Sequence, residues 1–154
     1  MPLNYFDSST LVKRYIAETG SDWVTHVSDS EPVATSLITV TEIASALARR
    51  TREGALTAQQ RDILFRLFVT DLRSSVLVDL NQTITQHAAT FLLTAPVPVR
   101  LRSLDALQLA SAQWSFARAR RRGIATGTFV TADRALAAAA GWLEVPTINP
   151  EDYQ

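Results

Sequence analysis

The stretch LNYFDSSTLVKRYIAE, residues 3–18, decides the fold. It begins as an apolar and aromatic run, reaches an acid at Asp7, and has apolar residues at helical spacing from Leu11 to Glu18. This order predicts a strand, an acid at its carboxyl end, and a helix. Ligands of open α/β sheets bind in the crevice at the carboxyl ends of the strands, so we expect Asp7 to face that crevice. Alternatively, Asp7 or Ser8 does no more than cap the helix.

The rest of the chain continues this alternation of strands and helices. Such a pattern predicts an α/β fold with a mostly parallel central sheet of about five strands and helices on both faces. We expect one domain over residues 1–154, because 47% hydrophobic residues suffice for one full core. Further strands are predicted over residues 33–37, 75–80, 128–131 and 145–148, and helices over 22–28, 40–53, 58–72, 83–94, 104–121 and 135–140.

Several boundaries carry specific expectations. The run over residues 75–80 is continuously apolar before Asp79, which predicts a buried strand. Pro146 places the last strand at an edge of the sheet. Thr39 and Thr57 are expected to cap the helices that follow them. Gly141 is expected to end the short alanine-rich helix.

The composition excludes several classes of protein. The chain has no cysteine, which excludes disulfides, thiolate zinc sites and cysteine nucleophiles and suits a reducing cytoplasm. We find no signal peptide at the start and no run of eighteen apolar residues, so we expect a cytoplasmic protein without a membrane segment. The net charge is zero, so any contact with nucleic acid must come from a local basic patch.

Four acids share one kind of position in this predicted fold. Asp7 and Asp133 directly follow strands, whereas Glu42 and Asp105 are expected in the first turn of a helix among apolar or small residues. Strand ends and helix starts of this kind lie on the same edge of the sheet. Taken singly, each helix-start acid is explained by the helix dipole, which favours a carboxylate there by roughly 0.3–1 kcal/mol.

Taken together, the four acids predict a cation site. Four carboxylates in one crevice repel one another and stay ionised only if a cation offsets their charge. Oxygen ligands without thiolates or a histidine pair suit Mg²⁺ or Mn²⁺ rather than zinc. Acid clusters of this type catalyse phosphodiester cleavage through bound metal ions that activate water and stabilise the leaving oxygen.

The motifs around these acids resemble those of a known family. Phe6-Asp7-Ser8-Ser9, Thr41-Glu42-Ile43, the run LDALQLA at residues 104–110, and Thr131-Ala132-Asp133 look like the motifs of PIN domains. More closely, the chain resembles VapC-type toxins of prokaryotic toxin-antitoxin pairs, which are single PIN domains of this length. The order and rough spacing of the motifs match along nearly all 154 residues.

This resemblance implies an endoribonuclease that depends on Mg²⁺ or Mn²⁺. Its catalytic and metal-binding residues would be Asp7, Glu42, Asp105 and Asp133. The resemblance also implies a homodimer and a cognate VapB-type antitoxin whose C-terminal segment lies over a groove beside the acids.

Two hydroxyl residues match the family, and the residues after Asp133 differ from it. Ser8 and Thr131 match positions of hydroxyl residues near the metal site, although a helix cap and an ordinary strand residue explain them equally well. Some relatives carry a further acid just after the last one. Here Arg134 and Ala135 follow Asp133, so the resemblance supplies no such ligand for a second metal.

Arginines are the candidates for contact with RNA. Arg100 and Arg102 shortly precede Asp105, which suits them to hold a substrate strand near the metals. Four more arginines lie between Arg118 and Arg122, at the end of the long helix. Two interpretations of this second group stay open: the arginines complement the carbonyls and dipole of the helix end, or they contact RNA phosphates.

The helix predicted over residues 58–72 is apolar around roughly two-thirds of its circumference. One interpretation is a face reserved for a partner helix, and the other is a helix enclosed within its own fold.

Two further functions remain alternatives to the ribonuclease. A receiver-like signalling module also gathers acids and Mg²⁺ at strand ends, but it needs a lysine near the late strands, and the only lysine here is Lys13. A binding module that keeps a PIN fold without catalysis is the other alternative.

Overall fold

The computed structural model describes residues 1–124 and 126–153; Ala125 and Gln154 lie outside the described residues. Within them, five parallel strands form one sheet in the order β3-β2-β1-β4-β5, with β1 at its centre. The predicted parallel sheet of about five strands is confirmed. The strands are β1 (Leu3–Phe6), β2 (Val33–Ser36), β3 (Val76–Val78), β4 (Gly127–Val130) and β5 (Thr147–Ile148).

The helices predicted after the first one are present with shifted ends. α4 begins as expected, because the Thr57 side chain accepts a hydrogen bond from the Gln60 N–H while the Gln60 side chain accepts one from the Thr57 N–H. In the part of the chain that the structure describes, the helices are α1 (Ser8–Leu11), α2 (Ser21–Ser30), α3 (Ile38–Arg52), α4 (Ala58–Asp71), α5 (Gln82–Thr94), α6 (Ser103–Arg120) and α7 (Arg134–Trp142).

The two aromatic residues of β1 separate the core into two halves. Tyr5 is fully buried in a cluster with residues of α5, α6 and α7, including Phe116, and with Phe129 of β4. Phe6 is fully buried in a second cluster with residues of α2, α3 and α4, including Phe68. Successive side chains of a strand point to opposite faces, so each face of the sheet receives one layer of helices. The prediction of helices on both faces is confirmed.

The helix predicted from Leu11 to Glu18 is wrong in position and length. α1 is a single turn that starts directly after Asp7, and a 3₁₀ turn over Val12–Arg14 ends it. Ion pairs hold the chain that follows in place. The buried Lys13 ammonium lies 3.3 Å from a carboxylate oxygen of Glu18 and 2.9 Å from one of Glu151.

The strand predicted over residues 75–80 is not buried. β3 spans only Val76–Val78 and forms one edge of the sheet, where Val76 and Leu77 are exposed and Val78 alone of its three residues is buried. An apolar run indicates a strand but does not show whether a second strand covers its outer edge. β5, by contrast, forms the other edge, as Pro146 predicts.

Two smaller expectations are also wrong. α3 begins at Ile38, so Thr39 lies within the helix, where its hydroxyl bonds to Thr35 instead of capping. Gly141 is a residue of α7, which continues to Trp142. Across residues 1–124 and 126–153, no helix has the length and apolar character needed to cross a membrane.

A glycine pair tests how tightly α6 packs on the sheet. A Cβ atom at Gly127 would overlap the ring of Phe116, whereas a Cβ atom at Gly141 would meet nothing within 4 Å. We expect Gly127→Ala to lower the free energy of unfolding by about 1–3 kcal/mol, because the ring must shift within a packed core. The matched control Gly141→Ala should raise it by about 0.5 kcal/mol, since alanine is the better helix former. Urea denaturation measures both, and equal effects would contradict the packing argument.

Candidate active site

The four predicted acids line one cavity at the carboxyl edge of the sheet. β1 and β4 are paired up to Phe6 and Val130, so the residues that follow these two strands emerge side by side. The first turns of α1 and α6 and the second turn of α3 surround the same space. The cavity has a volume of about 450 Å³, and its walls include Asp7, Glu42, Asp105, Asp133, Ser8 and Arg102.

Asp7 lies at the floor of this cavity and is only 2% exposed. Its Oδ1 accepts hydrogen bonds from the Thr10 N–H at 2.9 Å and the Ser9 hydroxyl at 2.8 Å, and its Oδ2 accepts one from Thr131 at 2.8 Å. Asp7 therefore does cap α1, as the simpler interpretation proposed, while its carboxylate also lines the acid cavity. The two interpretations are compatible.

Burial governs the titration of Asp7. Removal of the carboxylate from water raises its pKa from the ordinary 3.8 to about 6, while the hydrogen bonds from Thr131, Ser9 and Thr10 act in the opposite direction. These hydrogen-bond donors thus stabilise the ionised form of the Asp7 carboxylate at neutral pH.

Thr131 connects the ends of the two central strands. It is fully buried, donates to Asp7 Oδ2, and accepts a hydrogen bond from the Asp133 N–H at 3.1 Å. The predicted proximity of Thr131 to the acids is therefore observed, and its supporting role stays a prediction.

Ser9, which the sequence analysis did not single out, is the serine that contacts Asp7. Its hydroxyl donates to the Asp7 carboxylate and accepts from the Ala132 N–H at 3.0 Å, which links α1 to the end of β4. Ser8 also lines the cavity, and its hydroxyl lowers the pKa of Glu42. No signal in the sequence separates the roles of two adjacent serines.

Glu42 lies in the second turn of α3, because the helix begins at Ile38. The predicted first-turn position is therefore wrong, and the helix dipole does not explain this acid. Burial raises its pKa, and so do the charges of Asp7 and Asp105, whereas hydrogen bonds from Gln108 and Ser8 lower it. This mutual repulsion is the physical sign that these three carboxylates share one space.

Gln108 is a residue that sequence reasoning missed. Its side chain is buried, its Oε1 accepts from the Tyr5 hydroxyl at 2.6 Å, and its Nε2 donates to Thr39 Oγ1 at 2.9 Å and to Glu42 Oε2. The amide thereby fixes Glu42 from within the core. An amide among the apolar and small residues at 106–112 of α6 was the available signal, but it did not reveal the partners.

Arg102 lies between the two remaining acids. Asp105 Oδ2 accepts from the Arg102 N–H at 3.1 Å and from its Nε at 3.3 Å, and Arg102 Nη2 is 3.7 Å from Asp133 Oδ2. The other oxygen of Asp133 caps α7 through the N–H groups of Ala135 and Leu136. An arginine side chain thus neutralises part of the acid cluster.

The other basic candidates near the site differ in placement. Arg100 is exposed in the loop before α6 and is not part of the cavity wall. Lys13 lies near the ends of β4 and β5, but its ammonium group is engaged in ion pairs with Glu18 and Glu151 and does not line the acid cavity. Because this lysine is engaged outside the acid cavity, its placement does not favour the receiver-like alternative.

The donor set of the cavity fits a hard divalent cation in kind. It offers four carboxylates against one guanidinium, and it offers oxygen ligands only. In the described part of the chain, however, no three acids or histidines lie close enough together to hold one ion as they stand. Arg102 occupies the space between Asp105 and Asp133, so a bound ion would require this arginine to move aside.

The raised pKa of Asp7 makes stability depend on pH. The folded state binds a proton more tightly at this carboxyl than the unfolded state, so its contribution to stability is complete below about pH 4 and is lost as the pH rises through about 6. Asparagine stays neutral at both pH values. We therefore expect the free energy of unfolding of Asp7→Asn, measured relative to that of the parent chain, to rise by up to about 3 kcal/mol between pH 4 and pH 7.5.

Urea denaturation at the two pH values measures this gain. Asp133→Asn is the matched control: asparagine is an equally good helix cap, and the Asp133 side chain is 32% exposed, so its relative stability should change much less. A gain that is the same at both pH values would contradict the assignment of the buried charge to Asp7.

Known proteins are similar to this chain in structure but not detectably in sequence. No family model matches the chain, and no curated protein sequence shows significant similarity to it. Several solved structures, in contrast, are similar to the chain. A chain of the VapBC2 complex from Rickettsia felis, bound to a DNA fragment from its promoter, is 12% identical with a TM-score of 0.64, over 96% of this chain and 98% of that chain.

Two further structures agree. A chain of FitAcB from Neisseria gonorrhoeae is 18% identical with a TM-score of 0.64, over 96% of this chain and 97% of that chain. VapC20 of Mycobacterium tuberculosis, described as a toxin that cleaves the sarcin-ricin loop, is 17% identical with a TM-score of 0.61, over 88% and 94%. At these identities the likeness concerns the fold alone, and at that level the sequence-based resemblance is confirmed: the chain adopts the PIN-like fold of VapC-type toxin structures.

Proposed function

We propose that this protein is an endoribonuclease that depends on Mg²⁺ or Mn²⁺ and acts as the toxin of a toxin-antitoxin pair. The observation that carries the proposal is the convergence of Asp7, Glu42, Asp105 and Asp133 on one cavity at the carboxyl edge of a PIN-like sheet. The similar structures support it further, because they are toxins or toxin-antitoxin complexes.

The four acids would hold the metal, with Asp7 at the centre. Asp7 is held in one orientation by Thr10, Ser9 and Thr131, and Glu42 is held by Gln108, so the two carboxylates meet an ion with little reorganisation. A bound divalent ion in such a site activates water and stabilises the leaving oxygen of the phosphodiester.

Arg102 would bind the RNA substrate once its ion pairs with Asp105 and Asp133 are broken. Its side chain is 80% exposed at the mouth of the cavity, and guanidinium groups bind phosphate oxygens in a bidentate manner. The arginine can therefore exchange a carboxylate partner for the phosphate next to the cleaved bond. Arg100, which lies in the same loop two residues before Arg102, is the second proposed phosphate contact.

The proposed partners are a VapB-type antitoxin and a second copy of the chain. α4 supplies apolar surface for such contacts, because Ile63 and Leu67, which lie one turn apart on the same side of the helix, are each more than 40% exposed while Phe68 on the same helix is fully buried. An exposed apolar face of this kind is typical of a helix that receives a partner. The alternative of a helix enclosed in its own fold does not describe this side of α4.

Removal of single carboxylates tests the catalytic proposal. We expect Asp7→Asn and Asp105→Asn each to lower RNA cleavage by the purified, antitoxin-free protein with Mn²⁺ by at least about 100-fold, because each loses a charged metal ligand. Asp62→Asn is the control: Asp62 is an exposed acid on α4 and pairs only with the neighbouring Arg61 in the described residues. Full activity of both site variants, or activity that survives a chelator, would overturn the proposal.

Exchange of Arg102 tests the competition between arginine and metal. We expect Arg102→Gln to bind Mn²⁺ up to about fivefold more tightly, because an exposed ion pair contributes roughly 0.2–1 kcal/mol that the metal no longer has to displace. Isothermal titration calorimetry measures the affinity. Arg100→Gln removes the same charge from the same loop without lining the cavity, so its Mn²⁺ affinity should match that of the parent chain. Weaker Mn²⁺ binding by Arg102→Gln would contradict the competition.

A further inference from the structure

The C-terminal end of α6 carries four exposed arginines, Arg118, Arg120, Arg121 and Arg122, which form the basic end of the molecule. The basic end lies at the amino edge of the sheet. Arg118 and Arg122 line a cavity with Leu3, where β1 starts, and Arg120 and Arg121 line another with Gly127, where β4 starts. It is therefore on the side of the sheet opposite the acid cavity.

Capping of the helix explains at most one of these arginines. The last carbonyls of α6 accept hydrogen bonds from backbone N–H groups: Ala119 O from Arg122 and Ile124, Arg120 O from Gly123, and Ala117 O from Arg121. Among the described residues, only Arg121 adds a side-chain bond, from its Nε to Ala117 O at 3.4 Å. Hydrogen bonds to the carbonyls of the helix end therefore do not account for the whole group, although the helix dipole favours cations at this end.

The charge of the basic end is not balanced locally. In residues 1–124 and 126–153, none of its four guanidinium groups forms a salt bridge, although Asp79 and Glu144 line the same two cavities. Arginines elsewhere, such as Arg14 and Arg50, are paired with acids. In a chain with no net charge, four arginines within five residues create a local attraction for anions.

Aromatic surface beside the arginines favours RNA over an acidic protein. Trp114 is half-buried and lines both cavities, which have volumes of about 660 and 410 Å³, and His87 of α5 lines the larger one. Proteins that hold RNA combine phosphate contacts from arginine with aromatic side chains on which unpaired bases stack.

We propose that the basic end is a second RNA-binding surface that holds the substrate away from the cleaved bond. The proposal rests on the ribonuclease function proposed above and adds a size requirement to it. Arg118 and Arg120 follow Asp105 by 13 and 15 residues of helix, which corresponds to roughly 20–23 Å. An oligonucleotide of about two or three nucleotides at the acid cavity cannot reach the basic end, whereas a folded RNA can.

The test compares two triple variants of equal charge. Arg118→Gln, Arg120→Gln and Arg122→Gln are combined, with Arg121 kept because it bonds to the helix end. The control combines Arg52→Gln, Arg66→Gln and Arg73→Gln, which are exposed and form no salt bridge within the described residues. The probe is a fluorescein-labelled RNA hairpin with a stem of about 12 base pairs, bound in EDTA and followed by anisotropy.

We expect the basic-end variant to bind the hairpin at least about tenfold more weakly than the parent chain. The plot of the logarithm of the association constant against the logarithm of the salt concentration has a negative slope. Its steepness should decrease by about two to three, as expected for the loss of three phosphate contacts. With Mn²⁺ present, the KM for hairpin cleavage should rise and kcat should not change. Cleavage of a single-stranded RNA of about three nucleotides should be unaffected, since even a fully extended strand of that length does not span the distance to the basic end.

Other outcomes separate the two proposals. Equal hairpin affinity and salt slope in the basic-end variant and the parent chain would overturn the second surface, whether or not RNA is cleaved. Loss of hairpin affinity together with a complete absence of cleavage by the parent chain would support the surface and overturn the ribonuclease. Loss of binding to polyglutamate with unchanged hairpin binding would assign the basic end to an acidic protein and overturn the RNA proposal.

Discussion

The hydrogen bond from Thr131 to Asp7 holds the centre of this structure together. It joins the carboxyl ends of β1 and β4, and Ser9 reinforces it by bonding to Asp7 and to the backbone after β4. A buried carboxylate is costly unless donors surround it, and here the residual cost is visible as a raised pKa. The fold thus retains a charge at its most central strand end, at the expense of stability near neutral pH.

Helix capping and membership of the acid cluster are not competing roles in this molecule. Asp7 caps α1 and Asp133 caps α7, each with an oxygen that accepts backbone N–H groups, and both still line the cavity. A carboxylate has two oxygens and several lone pairs, so a cap fixes its orientation without using all of its capacity. A capping position therefore does not count against an acid as a metal ligand. Glu42 caps nothing and is oriented by Gln108.

The sequence was sufficient for the features that follow from topology. Alternating strands and helices require a parallel sheet, and parallel strands bring Asp7 and Asp133 to one edge whatever the details of packing. Features that depend on distant partners could not be predicted. Lys13, just after α1, pairs with Glu151 from the far end of the chain, and the Gln108 side chain bonds to Tyr5 and Thr39 from two other elements. The exposure of β3 depends on the absence of a strand beyond it within the described residues.

A net charge of zero conceals a separation of charge along α6. Its first turn carries Asp105 and its last turns carry Arg118 and Arg120, an arrangement that also matches the helix dipole at both ends. Without a cation, the acid cavity repels phosphate while the basic end attracts it. If both proposals hold, the metal-free protein binds RNA by the basic end alone, and a divalent ion then reverses the local repulsion at the cleavage site. Metal and substrate would be coupled through charge, without any conformational change in the sheet.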